Sequence, residues 1–279
     1  MINNKIKLIV SFNNPGNFFD LCINNLLIQD YDNYEILFID DFSSDGSYEK
    51  IPAGEYKKDK DGNPMYDNNN DLIIDYSHPL LEKTKCKNII AWKSNNKNGN
   101  LINYHNAIIN WEHDENDIFI LIDGKDWLLN KLSLSQINTI YNATNCWMTF
   151  DGENPQIGKK LDKKIFLEDN YNKIRSNFFK FNSPITFRAG LYDKFCEIDG
   201  TLSLKDLKNV WYTNYCENII AVPLIEMCGF EKIFQVDKGV YVKNNNLHEH
   251  ISEFKLDVFD DILERKKLDQ IKTYSKQAT

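Results

Sequence analysis

Residues 5–47 read KIKLIVSFNNPGNFFDLCINNLLIQDYDNYEILFIDDFSSDGS, and this stretch decides the fold class. Lys5–Ser11 is a short, β-branched apolar run, which predicts a buried strand of a parallel sheet. Asn13-Asn14-Pro15-Gly16-Asn17 is a turn cluster. Within Phe18–Asp30, Phe19, Cys22, Ile23, Leu26 and Leu27 recur at helical spacing. Tyr34–Ile39 predicts a second strand ending in Asp40-Asp41, and Ser43–Lys50 a loop entering a helix. Strand, helix, strand implies a right-handed βαβ unit with a parallel sheet.

The alternation continues outward. Lys87–Trp92 predicts a third strand, Leu101–Trp111 a helix, and Asp117–Ile122 a central strand closed by Asp123-Gly124-Lys125-Asp126-Trp127. A helix over Ser133–Tyr141 and a short strand over Cys146–Phe150 follow, and residues 151–185 read as irregular. Thr213–Gly229 reads as helical, interrupted or restarted at Pro223, and Gly239–Val242 as a late strand. The expected class is α/β, a mostly parallel central sheet flanked by helices. We expect one domain over residues 1–250, with a polar insertion at about 52–72, and a C-terminal amphipathic helix within 251–279. That helix, Glu253–Ser275, carries Phe254, Val258, Phe259, Ile262 and Leu263 on its apolar side. It either packs on the domain or joins two copies in a homodimer.

Composition narrows the function classes. The 279 residues are 42% hydrophobic, enough for one sizeable core. The net charge of −8 and the lack of a basic stretch argue against nucleic acid as a partner. The six cysteines are scattered with no C-x-x-C pair, which predicts buried free thiols and a reducing compartment. No signal-peptide pattern precedes the first strand and no apolar run is long enough to span a membrane, so the expected location is cytoplasmic. Asp59, Asp61 and Asn63 resemble a calcium loop, but the required Gly and Glu fall at the wrong offsets.

Open parallel sheets bind ligands at the carboxyl ends of their strands. Three polar groups stand at such ends here: Ser11 to Asn14, Asp40-Asp41, and Asp123 to Asp126. One terminal Asp often only caps the next helix; three in sequence point to a site. No G-x-G-x-x-G follows the first strand and there is no P-loop, which disfavours a dinucleotide or P-loop site.

The opening stretch resembles family-2 glycosyltransferases, which begin with a strand, a polar loop, a helix ending in a Q-x-[YF] turn, and a strand ending in an Asp-Asp-x-S-x-D-x-S loop. Gln29-Asp30-Tyr31 and Asp40 to Ser47 match that pattern, and ILIDGKDWL resembles the family's D-x-D-D motif. Thr186-Phe187-Arg188-Ala189 and Pro223 to Gly229 (PLIEMCG) resemble the acceptor-side motifs of a subgroup. The resemblance implies a GT-A fold and an inverting transfer of a sugar from a nucleotide-diphosphate donor, a UDP-sugar, to a glycan or protein acceptor. It implies donor-binding roles for Ser11, Asn13, Asp41 (accepting from the ring N–H of the base), Asn103, Asp123 and Lys125, with Lys97 in reach of a phosphate. It implies Glu217 as the catalytic base, six residues before the Pro-x-x-E pattern, and Trp127 as an acceptor-side aromatic.

Two departures stand out. The third position of the D-x-D pattern, where the family supplies a direct metal ligand, is Lys125. A lysine ammonium about 5 Å from a divalent cation is repelled by roughly 6–7 kcal/mol at an effective dielectric of about 20. Three readings stay open: Lys125 stands in for the Mn²⁺ or Mg²⁺ ion, or it points away while Asp123, Asp126, His248 and His250 hold the ion, or catalysis is lost. The last leaves a pseudoenzyme that binds nucleotide or glycan. The His and Arg that the subgroup shows before Thr-Phe are replaced by Ser183 and Ile185, which implies altered acceptor recognition.

Overall fold

The computed structural model describes residues 2–52, 55–56, 60–61, 74–75, 81, 84–151, 174–176, 182–236, 239–244 and 261–275. In chain order the strands are β1 (Ile6–Phe12), β2 (Tyr34–Asp40), β3 (Glu55–Tyr56), β4 (Ile74–Asp75), β5 (Asn88–Lys93), β6 (Ile118–Asp123), β7 (Trp127–Leu128), β8 (Met148–Asp151), β9 (Asn182–Arg188), β10 (Ile233–Val236) and β11 (Tyr241–Val242). The helices are α1 (Phe18–Leu27), α2 (Asn100–Asn110), α3 (Ser133–Thr144), α4 (Ala189–Asp199) and α5 (Cys216–Cys228).

Seven strands form one sheet in the order β10-β8-β9-β6-β1-β2-β5. β1 pairs in parallel with both β2 and β6, and β2 with β5, so the expected βαβ unit and mostly parallel sheet are present. β9 runs antiparallel to β6 and β8. Two small antiparallel pairs, β7 with β11 and β3 with β4, stand apart from the sheet.

The continuous apolar runs of the central strands follow from burial on both faces. Ile9, Leu37, Phe119 and Leu121 join one core with α2, α4 and α5. Their neighbours Leu8, Val10, Ile36, Phe38, Ile120 and Ile122 join the other core with α1 and α3. Alternate residues of one strand thus serve opposite layers. Lys7, within the first run, is also buried; its ammonium pairs with Glu35 at 2.7 Å and lies 4.1 Å from the centroid of the Trp111 ring.

Several expectations are corrected. Residues 182–199, read as irregular up to 185 and unassigned beyond, form β9 and α4. The Thr186-Phe187-Arg188-Ala189 motif lies in this pair as structure: Arg188 is buried, stacks on Tyr141 and donates to Asn4. α5 runs through Pro223 without a break, and Ser43–Lys50 ends in only a short 3-10 turn over Tyr48–Lys50. Of the expected helix over 253–275, residues 253–260 lie outside the described residues, 261–264 are helical and 265–275 are irregular. The reason is that this segment gives its backbone donors to α5. The Leu268 N–H reaches Glu226 Oε2 at 2.9 Å and the Ile271 N–H reaches the Met227 carbonyl at 2.9 Å. Leu268, Ile271 and Tyr274 pack on the same core. Most of the expected insertion at 52–72 lies outside the described residues.

Candidate functional site at the carboxyl end of the sheet

Register sets the polar groups side by side. Ser11 is level with Asp123 across β1–β6, and Phe12 with Asp40 across β1–β2. The close approach of the next loop requires a glycine: a Cβ on Gly124 would lie 2.5 Å from Phe12 Cβ.

Under this edge runs one hydrogen-bonded chain of side chains. Asn103 Nδ2 donates to Ser11 Oγ at 3.1 Å, Ser11 Oγ donates to Asn100 Oδ1 at 3.0 Å, and Asn100 Nδ2 donates to Asp123 Oδ2 at 3.3 Å. Asn100 and Asn103 are three apart on α2 and so share a face. Ser11 and Asn103 are buried, and their side chains are spent on this chain. They lie in the polar row at the carboxyl end of the sheet. Sequence reasoning missed Asn100, although the Asn-x-x-Asn spacing at the start of a helix was there to be read.

Asp41 is buried, and its two oxygens accept from the backbone N–H groups of Asn98 (2.7 Å) and Gly99 (2.9 Å). It therefore fixes the entry to α2, where Gly99 has φ 90°. Asn13 donates to the carbonyls of Asp41 and Phe42 and holds the two loops together. Phe42 is exposed with φ 67°, a left-handed backbone unusual for an aromatic residue.

Asp123 Oδ1 accepts from the Lys125 N–H at 2.9 Å. Asp126 is 1% exposed and accepts from Tyr241 Oη at 2.8 Å on one oxygen and from the Asn244 N–H at 2.8 Å on the other. It thus ties the β11 segment to the loop after β6. Lys125 is half-buried between these residues, with no ion pair to its ammonium among the described residues. Trp127 is half-buried in β7, opposite Val242. Lys97 is exposed.

Every residue of α5 except Glu217 is buried. A helix apolar all round belongs inside a core, so Glu217 in its first turn is the one opening. Helix N-termini favour a negative charge. Glu217 makes no hydrogen bond among the described residues, whereas Asp41, Asp123 and Asp126 are all engaged. Its charge bears on the buried hydroxyl of Tyr104, as do those of Asp123 and Asp126; burial first, then these carboxylates, hold that phenol well above its usual range. Glu226, the neighbouring carboxylate, is wholly buried and paired with Arg175.

Among the described residues no group of three or more His, Cys, Asp or Glu side chains could hold a divalent cation. Asp123 and Asp126 have their oxygens committed to protein donors, and Lys125 sits between them. His248 and His250, the other expected ligands, lie outside the described residues. No described helix is long and apolar enough to cross a membrane. The six cysteines are free; Cys22, Cys146, Cys216 and Cys228 are buried as expected, whereas Cys86 and Cys196 are half-buried.

Comparison with known proteins gives the following. Residues 8–70 match the family model described as Glycosyl transferase family 2. No curated protein sequence matches the chain. Among solved structures, residues 1–349 of S. aureus TarS in complex with UDP-GlcNAc superpose with a TM-score of 0.56 at 15% identity, covering 89% of this chain and 61% of that one. The mannosyltransferase PcManGT from Pyrobaculum calidifontis, in complex with GDP-Man and Mn²⁺, gives a TM-score of 0.54 at 13% identity over 87% of this chain and 57% of that one. The chain thus spans less than two thirds of the length of these structures, and the likeness shows the fold: GT-A.

Proposed function

From a GT-A fold whose opening residues match the family-2 glycosyltransferase model, we propose that this protein transfers a sugar from a nucleotide-diphosphate donor, a UDP-sugar, to an acceptor hydroxyl with inversion. The observation that carries the reading is the hydrogen-bonded row Asn103–Ser11–Asn100–Asp123 at the carboxyl end of the sheet. Glu217, the one residue of α5 that is not buried, adds a carboxylate with no hydrogen bond among the described residues. That both solved neighbours hold nucleotide sugars, UDP-GlcNAc in one and GDP-Man in the other, supports the donor class.

In this reading the acceptor oxygen attacks the anomeric carbon from one side while the bond to the diphosphate oxygen breaks on the other. Glu217 takes the acceptor proton, a contribution of about 10²–10⁴-fold to the rate. The leaving diphosphate departs with the bonding electron pair, and the Lys125 ammonium neutralises the charge that builds on it. A fixed donor of this kind is worth about 10²–10³ in kcat. No step requires a metal. Trp127 lines the acceptor side, where an aromatic face suits a sugar ring. The committed oxygens of Asp123 and Asp126 favour a second reading, a GT-A domain that binds nucleotide or glycan without transfer.

The test is donor hydrolysis and transfer across a panel of nucleotide sugars, with Mn²⁺ and with EDTA, for wild type, Lys125→Asp and Glu217→Gln. Turnover that survives EDTA in the wild type and falls at least 100-fold in Glu217→Gln supports metal-independent transfer. Nucleotide binding without turnover in the wild type, with activity appearing only in Lys125→Asp plus Mn²⁺, replaces it with the second reading.

A further inference from the structure

Among the described residues six non-glycine residues have a left-handed backbone, and two of them are aromatic. Tyr215 packs on the core. Phe42 does not. It is 57% exposed, belongs to neither core cluster, and its ring meets no aromatic or cationic side chain among the described residues.

A φ of 67° is costly for a side chain of this bulk, whereas glycine takes it freely and asparagine nearly so. Phe42 holds it because the chain is tied down on both sides. Asn13 Nδ2 donates to the carbonyls of Asp41 and Phe42 at 2.9 and 3.1 Å, and the Ser43 N–H donates to Asp40 Oδ1 at 2.8 Å. Ser43 Oγ accepts from the Asn14 N–H at 3.0 Å. Strain that the surroundings over-determine gathers at ligand-binding positions. Here it presents a phenyl ring to solvent at the carboxyl end of the sheet.

The ring's place selects the ligand group. Phe42 follows β2 and Lys125 follows β6, and β1 lies between those two strands. Adjacent strands are about 4.8 Å apart, so the two loops start roughly 10 Å apart along the edge. In a nucleotide sugar the sugar is joined directly to the diphosphate, whereas the ribose stands between the diphosphate and the base. With the diphosphate at Lys125, the group that reaches the β2 end is the base. A phenyl ring offers no polar atom to a phosphate, but its flat face suits a planar heterocycle.

We propose that Phe42 is a stacking platform for the base of the donor nucleotide. This rests on the transferase reading above. Stacking is tolerant of which base it meets, so Phe42 contributes affinity for the nucleotide and no choice of sugar.

The experiment is calorimetric titration of wild type, Phe42→Asn and Phe42→Tyr with UDP and UDP-glucose, with thermal melting of each protein. Asparagine accepts the left-handed backbone and lacks the ring; tyrosine keeps the ring. Phe42→Asn is expected to melt at or above the wild-type temperature and to bind both ligands more weakly by one common factor, about five- to a hundredfold. Phe42→Tyr should bind both as wild type does. Unchanged UDP affinity in Phe42→Asn overturns the proposal. A loss confined to UDP-glucose also overturns it, since the ring then meets the sugar. So does an equal loss in Phe42→Asn and Phe42→Tyr, which assigns the effect to the loop backbone. If wild type does not bind UDP, the reading of a UDP-sugar transferase itself fails and the platform falls with it. If wild type binds UDP and any of the other overturning results appears, only the platform fails.

Discussion

The Arg175 guanidinium closes on Glu226 with two hydrogen bonds, Nε to Oε1 at 2.6 Å and Nη2 to Oε2 at 3.0 Å. The same guanidinium donates to the carbonyls of Ile262 and Lys266, at 2.9 and 2.8 Å. One buried pair therefore clasps the C-terminal segment to α5, the helix that presents Glu217.

Breaking this pair from one side leaves a charge uncompensated in the core. Glu226→Leu is expected to cost about 3–5 kcal/mol of stability by chemical denaturation, and Arg175→Met a comparable amount. The double variant should recover most of the loss, because neither charge is then stranded. Two fully additive losses would show that the residues act separately.

Asp41 carries the entry to α2 on two backbone N–H groups. Asp41→Ala leaves both donors without their partner and should destabilise the protein by about 1–3 kcal/mol. Nucleotide affinity should fall with it, because Asn100 at the start of α2 links Ser11 to Asp123. Full stability with lost affinity would instead return Asp41 to direct contact with the base.

Gly124 faces the Phe12 side chain with no room for a methyl group. Gly124→Ala should cost about 1–3 kcal/mol through overpacking, measured by urea denaturation. A melting curve superimposable on wild type would mean that the loop yields freely.

His113 Nε2 lies 3.2 Å from Asp193, and this hydrogen bond, working against partial burial, raises the imidazole above its usual value. The folded state thus binds the proton more tightly than the unfolded one. The stabilisation is complete below the unfolded value of about 6.5 and is lost as pH rises through the higher folded value. Asp193→Asn should therefore lose more stability at pH 5.5 than at pH 8.5. An equal loss at both would assign the contact to packing alone.

Much of the fold was legible. The run Lys5–Ser11, the helical spacing from Phe19 to Leu27 and the run Tyr34–Ile39 gave β1, α1 and β2 because each pattern has a local period. β9 and α4 were not read. β9 is reversed between β6 and β8, and pairing direction depends on partners remote in sequence. The C-terminal helix was overextended for a similar reason: its spacing is amphipathic, but Glu226 and Met227 capture its backbone donors.

What the sequence by itself determined is the sheet's polarity and the carboxylates at its carboxyl end. Strand order and loop chemistry follow from alternation and from which residue types can close a strand. What only the tertiary structure decided is which of those groups remain free. In the chain nothing marks Asp41, Asp123 and Asp126 as already engaged and Glu217 as without a hydrogen bond among the described residues. A carboxylate's availability depends on which N–H and O–H groups folding brings to it, and those come from Gly99, Asn100, Tyr241 and Asn244. Spacing along the chain carries no record of that competition, and burial decides it.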